Sequence, residues 1–270
     1  MAIDVEPVLY GEITDHRPLL LLLHAFPLDS RMWRPQAQGL AHLAPVLTLD
    51  LPGFGKSREV ALPKSLDAWA DAVAETTSEV AGERPVVVAG LSMGGYVALR
   101  LIARHRDLVS GLILADTRSG NDHQEVRTAR DEAITEVAAD GIEPLAQSML
   151  PKLLSEHCGQ ELADAVHTIM LDQDPIGIMA ALTAMRDRPD SSNLLPKTNI
   201  PVLVIVGAED TLTPPEESEA MAAAIPGARL AVVPNSGHLT NLENPIVFNE
   251  TVASFLKDEF LFSYEPKRRS

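Results

Sequence analysis

Six short aliphatic runs, each ending in turn residues, constrain the fold of this chain more than any other feature. Most are continuously apolar rather than alternating, as expected for parallel strands that helices cover on both faces. The runs are Leu19–His24, Pro45–Asp50, Pro85–Gly90, Leu108–Asp116, Ile200–Gly207 and Arg229–Pro234. They predict a mostly parallel sheet.

Helix-forming segments separate several of these runs. The expected helices are Leu66–Val80 with Ser65 as N-cap, a helix from just after Ser92 to Arg104, Glu216–Ile225 and Pro245–Phe260. Strands that alternate with helices are typical of an α/β protein with a doubly wound sheet. The 270 residues suffice for one such domain.

The stretch 117–195 interrupts this alternation, since it is helix-prone and contains no convincing strand. Its helical segments are Glu125–Ala139, Ile142–Leu154, Gln160–Leu171 and Ile178–Met185. An insertion after a central strand would lie over the carboxyl ends of the sheet, where such folds keep their sites. We therefore expect a core of 1–116 and 196–270 and a helical lid of 117–195. The alternative is a structural insertion remote from the site.

The charge balance limits the classes of partner. Lys and Arg number 22 against 38 Asp and Glu, a net charge of -16, which disfavours binding to nucleic acid or to an anionic membrane surface. The longest apolar run near the start, Leu19–Leu23, is too short to span a membrane, and the first residues do not resemble a secretory signal. The single cysteine, Cys158, cannot form an internal disulfide. We expect a cytoplasmic protein.

The sequence Gly-Leu-Ser-Met-Gly-Gly at 90–95 lies between an expected strand and an expected helix. In such a tight strand-to-helix turn, small residues must flank the serine, whose hydroxyl then projects above the sheet. Gly90 and Gly94 meet this requirement. We predict Ser92 as a nucleophile, with the N–H of Met93 directed at developing negative charge.

A nucleophilic serine needs a base and an acid that orients the base. Among the eight histidines, His238 follows the last expected strand and should reach the same sheet edge as Ser92. Asp210 follows the strand Ile200–Gly207, which favours it as the acid. Asp116, at the end of the preceding strand, and the adjacent Glu209 stay open as alternatives.

A second N–H donor for an oxyanion should come from the loop His24-Ala25-Phe26-Pro27, and we assign it to Phe26. His24 is expected to shape this loop. The sequence Gly55-Lys56-Ser57 ends like a phosphate-binding loop, but Asp50 occupies the position where that motif needs glycine. No metal-ligand spacing is present in the sequence.

Together these motifs resemble the α/β-hydrolase superfamily over nearly the whole chain outside the expected lid. The resemblance rests on 24–27, 50–57, 90–95, 207–210 and 236–238. Within the superfamily, the segments 213–216 and 241–245 are similar to the serine carboxylesterase and 3-oxoadipate enol-lactonase branch. The resemblance implies a triad of Ser92, Asp210 and His238, no cofactor, and hydrolysis of esters or lactones. Ala25 departs from the glycine that many relatives carry.

The leading hypothesis is a hydrolase that cleaves a small carboxylic ester through an acyl-enzyme. Alternatives are a 3-oxoadipate enol-lactonase, a cofactor-free perhydrolase, a carbon–carbon bond hydrolase, and a non-catalytic ligand receptor. The natural substrate and the oligomeric state are not predicted.

Side chains of the expected lid bear on this choice. A lactone with its own carboxylate would need an arginine, and Arg118 is the strongest candidate for substrate binding. Solvation by water is expected for most of the other lid arginines, which are Arg127, Arg130, Arg186 and Arg188. The net negative charge favours neutral esters over anionic lactones. Four methionines could line an acyl pocket or simply form core: Met149, Met170, Met179 and Met185.

Overall fold

A seven-stranded sheet runs through the computed structural model, which describes residues 5–13, 17–58, 62–63 and 65–261. The strands are β1 Pro7–Tyr10, β2 Leu19–Leu23, β3 Val46–Leu49, β4 Val86–Leu91, β5 Val109–Ala115, β6 Val202–Gly207 and β7 Arg229–Val233. Their spatial order is β1-β3-β2-β4-β5-β6-β7. Only β1 is antiparallel to its neighbour, so the predicted mostly parallel sheet is confirmed.

Each of the six predicted aliphatic runs forms a strand within two residues of its expected bounds. The seventh strand, β1, was not predicted, because it is a short edge strand whose side chains are alternately exposed and half-buried. The chain order reverses between β2 and β4, which lie side by side. In open α/β sheets this switch point marks the edge where ligands bind.

Ten α-helices surround the sheet in the part of the chain that the structure describes. They are α1 Arg34–Leu40, α2 Leu66–Ala81, α3 Met93–Arg104, α4 Gln124–Asp140, α5 Glu143–Leu153, α6 Gln160–Leu171, α7 Pro175–Arg186, α8 Pro215–Ala224, α9 Thr240–Glu243 and α10 Pro245–Leu256. Helix α3 packs on β2, β4 and β5, and α2 packs on α3. Helices α1 and α9 were not predicted, since α1 contains proline and glycine and α9 is a single turn.

The four helices α4 to α7 form a helical insert between β5 and β6, as the sequence predicted. Helix α4 packs against α5 and α7, and α5 packs against α6. The start of α7 differs most from its expected position, because the side chain of Asp174 caps the N–H of Ile176 at 2.7 Å and Pro175 occupies the first helical position. The two ends of the insert meet: the N–H of Ser191 donates to the carbonyl of Ser119 at 2.9 Å.

The core is continuous beneath the site. All five leucines of β2 are at most 1% exposed, and every residue of β4 is buried. Large aromatic side chains fill the space between the sheet and the helices: Trp33 packs on Phe248 and Phe54 packs on Trp69. Each such fully buried side chain contributes roughly 1.5–3 kcal/mol. The strand ends that carry the site are therefore held rigidly.

None of the described helices is both long and apolar enough to cross a membrane. The described residues also contain no group of three or more His, Cys, Asp or Glu side chains placed to hold a metal ion. The expected bounds of core and lid stay predictions, and residues 1–4 and 262–270 of the expected core lie outside the described ranges.

Candidate active site

Ser92 lies in the tight turn between β4 and α3, with φ at 54°. A β-carbon on Gly90 would lie 2.2 Å from the carbonyl oxygen of Gly94, and one on Gly94 would lie 2.1 Å from the carbonyl oxygen of Leu23. Both distances are far shorter than atoms allow, so only glycine fits at either position. The serine backbone is held in the left-handed region, a strained arrangement typical of functional sites.

His238 and Asp210 form a buried hydrogen-bonded pair at the same edge of the sheet. Nδ1 of His238 lies 2.8 Å from Oδ2 of Asp210. The loop after β6 fixes the carboxylate: Oδ1 accepts from the N–H groups of Leu212 and Thr213 at 2.8 and 3.0 Å, and the Thr213 hydroxyl donates to Oδ2 at 2.6 Å. Burial alone would raise the pKa of Asp210, but the hydrogen bonds from His238 and Thr213 outweigh it and lower that pKa. The carboxyl group is therefore ionised at neutral pH.

The two alternative acids have other partners. Asp116 accepts from the N–H of Gly207 at 2.9 Å and is hydrogen-bonded to the hydroxyl of Thr240. Burial, with the nearby negative charge of Asp210, raises the pKa of Asp116 well above its usual value. Glu209 lies 3.7 Å from His157, a largely exposed histidine. Among the described residues, neither acid is hydrogen-bonded to His238.

His24 shapes the loop after β2 through its ring. Its Nε2 accepts from the N–H of Leu51 at 2.9 Å, and its Nδ1 lies 3.0 Å from the carbonyl oxygen of Ala25. Burial lowers the pKa of His24, so the ring is neutral and Nδ1 carries the proton. This arrangement places Phe26 at the wall of the cavity that contains Ser92.

Met93, the other expected oxyanion donor, is the first residue of α3. Its N–H is one of the four at a helix start that have no intrahelical acceptor, and it is therefore available to a ligand. The donor roles of Phe26 and Met93 stay predictions.

The turn at 50–57 is structural. Oδ1 of Asp50 accepts from the N–H of Ser30 at 2.8 Å, and Oδ2 accepts from the N–H of Lys56 at 2.9 Å. Gly55 has φ at 48°, and a β-carbon there would lie 2.4 Å from the Asp50 carboxylate. A carboxylate in the centre of this turn would repel a phosphate group.

A cavity of about 280 Å³ opens on Ser92 and His238. Its other lining residues are Phe26, Tyr96, Arg118, Asp122, Val126, Arg130, Met149, Leu153, Met185, Thr211, Leu212 and Thr213. The insert thus contributes much of the wall. A second cavity of about 600 Å³ between α4 and α5 shares Phe26, Val126, Arg130, Met149 and Leu212 with the first. The two cavities therefore adjoin, and the first of them contains Ser92.

Arg118, the predicted substrate-binding arginine, lines the cavity near Ser92. It donates to the carbonyl oxygen of Leu212, and its nearest carboxylate, that of Glu217, lies 3.9 Å away. About a quarter of its side chain is exposed.

Arg188 and Arg130 differ from the expected solvated lid arginines. Arg188 is only 5% exposed and lies 4.1 Å above the ring of Tyr96. Both arginines pair with Asp122, which sequence reasoning missed. No local pattern marks this cluster, because Asp122 and Arg188 lie at opposite ends of the insert.

Comparison with known proteins agrees with this architecture. The sequence profile of the alpha/beta hydrolase family matches residues 20–251. The chain belongs to the alpha/beta hydrolase family.

Two solved structures of the family resemble this chain over nearly its full length. One is a thermophilic esterase from Thermogutta terrifontis with malate bound; it is 34% identical, with a TM-score of 0.88, and the match covers 95% of this chain and 94% of that one. The other is the enol-lactonase from Burkholderia xenovorans LB400, which is 25% identical with a TM-score of 0.83 over 94% of this chain and 96% of that one.

A curated relative by sequence is the pimeloyl-[acyl-carrier protein] methyl ester esterase of Neisseria meningitidis serogroup C. It is 29% identical over 245 residues, which are 87% of this chain and 92% of that protein. Esterases therefore stand among its relatives both by sequence and by structure.

Proposed function

We propose that this protein hydrolyses carboxylic esters through an acyl-enzyme, with Ser92 as nucleophile, His238 as general base and Asp210 as the orienting acid. The observation that carries the proposal is the cavity that contains both Ser92 and His238, with Asp210 hydrogen-bonded to the far nitrogen of the histidine at 2.8 Å. The esterases among its relatives support the same reaction class.

The proposed reaction starts with the tautomer of His238. Ionised Asp210 accepts a hydrogen bond from the N–H at Nδ1, so the proton stays on Nδ1 and the lone pair on Nε2 is free to take the proton of the Ser92 hydroxyl. Ser92 Oγ attacks the ester carbonyl, and the N–H groups of Phe26 and Met93 bind the negative oxygen that forms. The tetrahedral intermediate then collapses: the C–O bond to the alcohol breaks, and His238 gives its proton to the departing oxygen, which leaves as the free alcohol.

The second half repeats these steps with water. His238 takes a proton from water, the resulting hydroxide attacks the acyl carbonyl, and the Ser92 oxygen leaves and recovers its proton from His238. Thr213 acts as a positioning residue in this scheme, since its hydroxyl and N–H both hold the Asp210 carboxylate. Sequence reasoning had noted Thr213 only as part of a family motif.

We further propose that 117–195 acts as a lid over a core of 1–116 and 196–270. Residues of α4, α5 and α7 line the cavity beside Ser92, among them Val126, Met149 and Met185. An insertion remote from the site would not contribute such contacts. The lid would exclude water and shape the part of the site that selects the acyl group.

A lactonase is the second candidate. The structural likeness to an enol-lactonase and the presence of Arg118 in the cavity favour it. Lactone and ester hydrolysis use the same attack on a carbonyl, so the two candidates differ in substrate shape and not in mechanism.

Labelling and turnover together test the proposal. A fluorophosphonate probe should label Ser92 in the wild-type protein and leave Ser92→Ala unlabelled, and a panel of methyl and p-nitrophenyl esters should be hydrolysed by the wild type alone. A folded protein whose Ser92 neither reacts with the probe nor turns over any ester or lactone would instead be a ligand receptor.

A further inference from the structure

Two guanidinium groups, one buried and one half-buried, share one carboxylate at the wall of the cavity. Nη1 of Arg188 lies 2.7 Å from Oδ1 of Asp122, and Nε of Arg130 lies 2.5 Å from Oδ2 of the same residue. The side chains of Asp122 and Arg188 are each 3% exposed, and that of Arg130 is 17% exposed. The cluster therefore carries one positive charge in excess in a desolvated place.

The donors of Arg188 are used within the protein. Its Nη1 also donates to the carbonyl of Met185 at 3.0 Å, its Nη2 donates to the carbonyl of Gly120 at 2.9 Å, and its guanidinium stacks over Tyr96. Arg188 thus holds Asp122 in place, and each of its three nitrogens already has an acceptor within the protein.

Arg130 is different. Its Nε is bound to Asp122, but for its two Nη atoms the described residues provide one contact, the sulfur of Met185 at 3.7 Å. A thioether is a weak acceptor. Arg130 lines both the cavity at Ser92 and the adjoining cavity between α4 and α5, so it lies where the two adjoin.

A buried positive charge is costly unless an anion pairs with it. The fork of an arginine fits a carboxylate with two parallel hydrogen bonds. Arg118 adds a second positive charge to the same cavity, with its nearest carboxylate 3.9 Å away. The acidic residue that lines the cavity at Ser92 is Asp122, which is already paired with both arginines, whereas Glu132 and Glu136 line the cavity between α4 and α5 together with Lys152.

The overall charge of -16 does not oppose an anion at this position. Exposed charges beyond about 8–10 Å are largely screened at physiological salt, whereas a direct contact with Arg130 is not. We therefore expect the local excess of positive charge to govern binding at this position and to favour an anionic substrate, against the preference that net charge alone suggests.

We propose that Arg130 is a specificity-determining residue that binds a carboxylate carried by the substrate, so that the enzyme prefers half-esters of dicarboxylic acids to the matching neutral diesters. This inference rests on the proposed ester hydrolysis at Ser92. The carboxylate pairs with the Nη edge of Arg130, and the reacting ester carbonyl lies at Ser92.

The kinetic test compares monomethyl with dimethyl esters of succinic, glutaric and adipic acid. For at least one of the three acids, the wild type should have a kcat/KM for the half-ester that is at least about tenfold higher than its kcat/KM for the diester. Arg130→Gln should lower that ratio about 10- to 100-fold, the range for hydrogen bonds to charged groups, chiefly through KM for the half-ester. Arg130→Lys keeps the charge but loses the two parallel donors. Its ratio of the two kcat/KM values should lie between those of the wild type and Arg130→Gln.

Arg127→Gln is the matched control. Arg127 lies on the same helix, but it pairs with Asp187 at 3.0 Å and lines neither cavity. In Arg127→Gln, the ratio of kcat/KM for the half-ester to kcat/KM for the diester should equal that of the wild type. A wild-type preference for the diester, or an equal ratio in Arg130→Gln, overturns the inference.

Binding separates this inference from the proposed function. Calorimetry with free adipate and succinate requires no turnover and should detect binding to the wild type and its loss in Arg130→Gln. Such binding without any ester hydrolysis would support the anion site and refute the esterase. Hydrolysis of neutral esters with no dicarboxylate binding would support the esterase and refute the anion site.

Discussion

Oδ2 of Asp210 lies 2.8 Å from Nδ1 of His238. Asp116 comes directly after β5, which pairs with β6, the strand that precedes Asp210. Asp116 instead accepts from the N–H of Gly207 and the hydroxyl of Thr240, and so links the end of β5 to the end of β6 and the start of α9. The two acids thus have different expected effects. Asp210→Asn should lower turnover by about 10³- to 10⁴-fold, because the amide leaves His238 in the wrong tautomer. Asp116→Asn should change it only mildly. Steady-state kinetics on both variants would refute our assignment if the two effects were exchanged.

Asp116→Asn should also change the pH dependence of stability. The folded-state pKa of Asp116 is raised well above its unfolded value of about 3.9, so folding favours the neutral carboxyl group. The stability that the neutral Asp116 carboxyl group contributes is fully present below about pH 3.9, and it is lost as the pH rises through the pKa of Asp116 in the folded protein. Asparagine mimics the neutral acid at every pH.

The melting temperature of Asp116→Asn should therefore exceed that of the wild type increasingly from about pH 4 upward. Thermal melts between pH 4 and pH 9 measure this difference. A variant that is equally less stable at every pH would mean that the Asp116 carboxylate is ionised in the folded protein.

Ser92→Ala and His238→Ala should each abolish nearly all ester hydrolysis, and the double variant should be hardly worse than either. Residues that act as one catalytic unit are strongly non-additive, because removing either one disables the same step. Single-turnover assays on the three variants provide the measurement. Losses that multiply in the double variant would show that the two side chains act independently.

The methionines of the insert should fall into two classes. Met149 lines both cavities, whereas Met170 is completely buried. Met149→Ala should shift the preferred acyl-chain length with little effect on the melting temperature. Met170→Ala should cost about 2–5 kcal/mol of stability with unchanged chain-length preference. Initial rates over a series of p-nitrophenyl esters measure the chain-length preference, and thermal melts measure the stability. If Met149→Ala lost stability and Met170→Ala changed the preference, the division into pocket and core methionines would be wrong.

Arg118→Ala should change kcat/KM for neutral esters by less than tenfold. Nη2 of Arg118 already donates to the carbonyl oxygen of Leu212, and a neutral substrate has no carboxylate for the guanidinium to bind. The comparison with Arg130→Gln on the same half-esters shows how the two arginines divide anion binding. A loss of a hundredfold or more on neutral esters would mean that Arg118 contacts the reacting group.

Much of the frame was predictable because it depends on local patterns. Most strands are continuous aliphatic runs; Ser92 directly follows β4, and His238 lies in the loop after β7. The partner of Glu209 could not be predicted, since it is His157, a residue of the insert that is distant in sequence. Likewise, Asp122 and Arg188 are distant in sequence and meet only when the four inserted helices have packed. Such long-range ion pairs leave no periodic signal, so their arginines looked like ordinary surface charges.

The joined ends of the insert have a further consequence. Ser119 and Ser191 are hydrogen-bonded, and Asp122 and Arg188 are ion-paired, so the chain leaves and re-enters the sheet at nearly one point. Closing a loop costs only about 0.6 kcal/mol more for each doubling of its length. We therefore expect the segment between these residues to tolerate lengthening, shortening or replacement, and such changes should alter the substrate range while the strand ends keep the reacting groups in place.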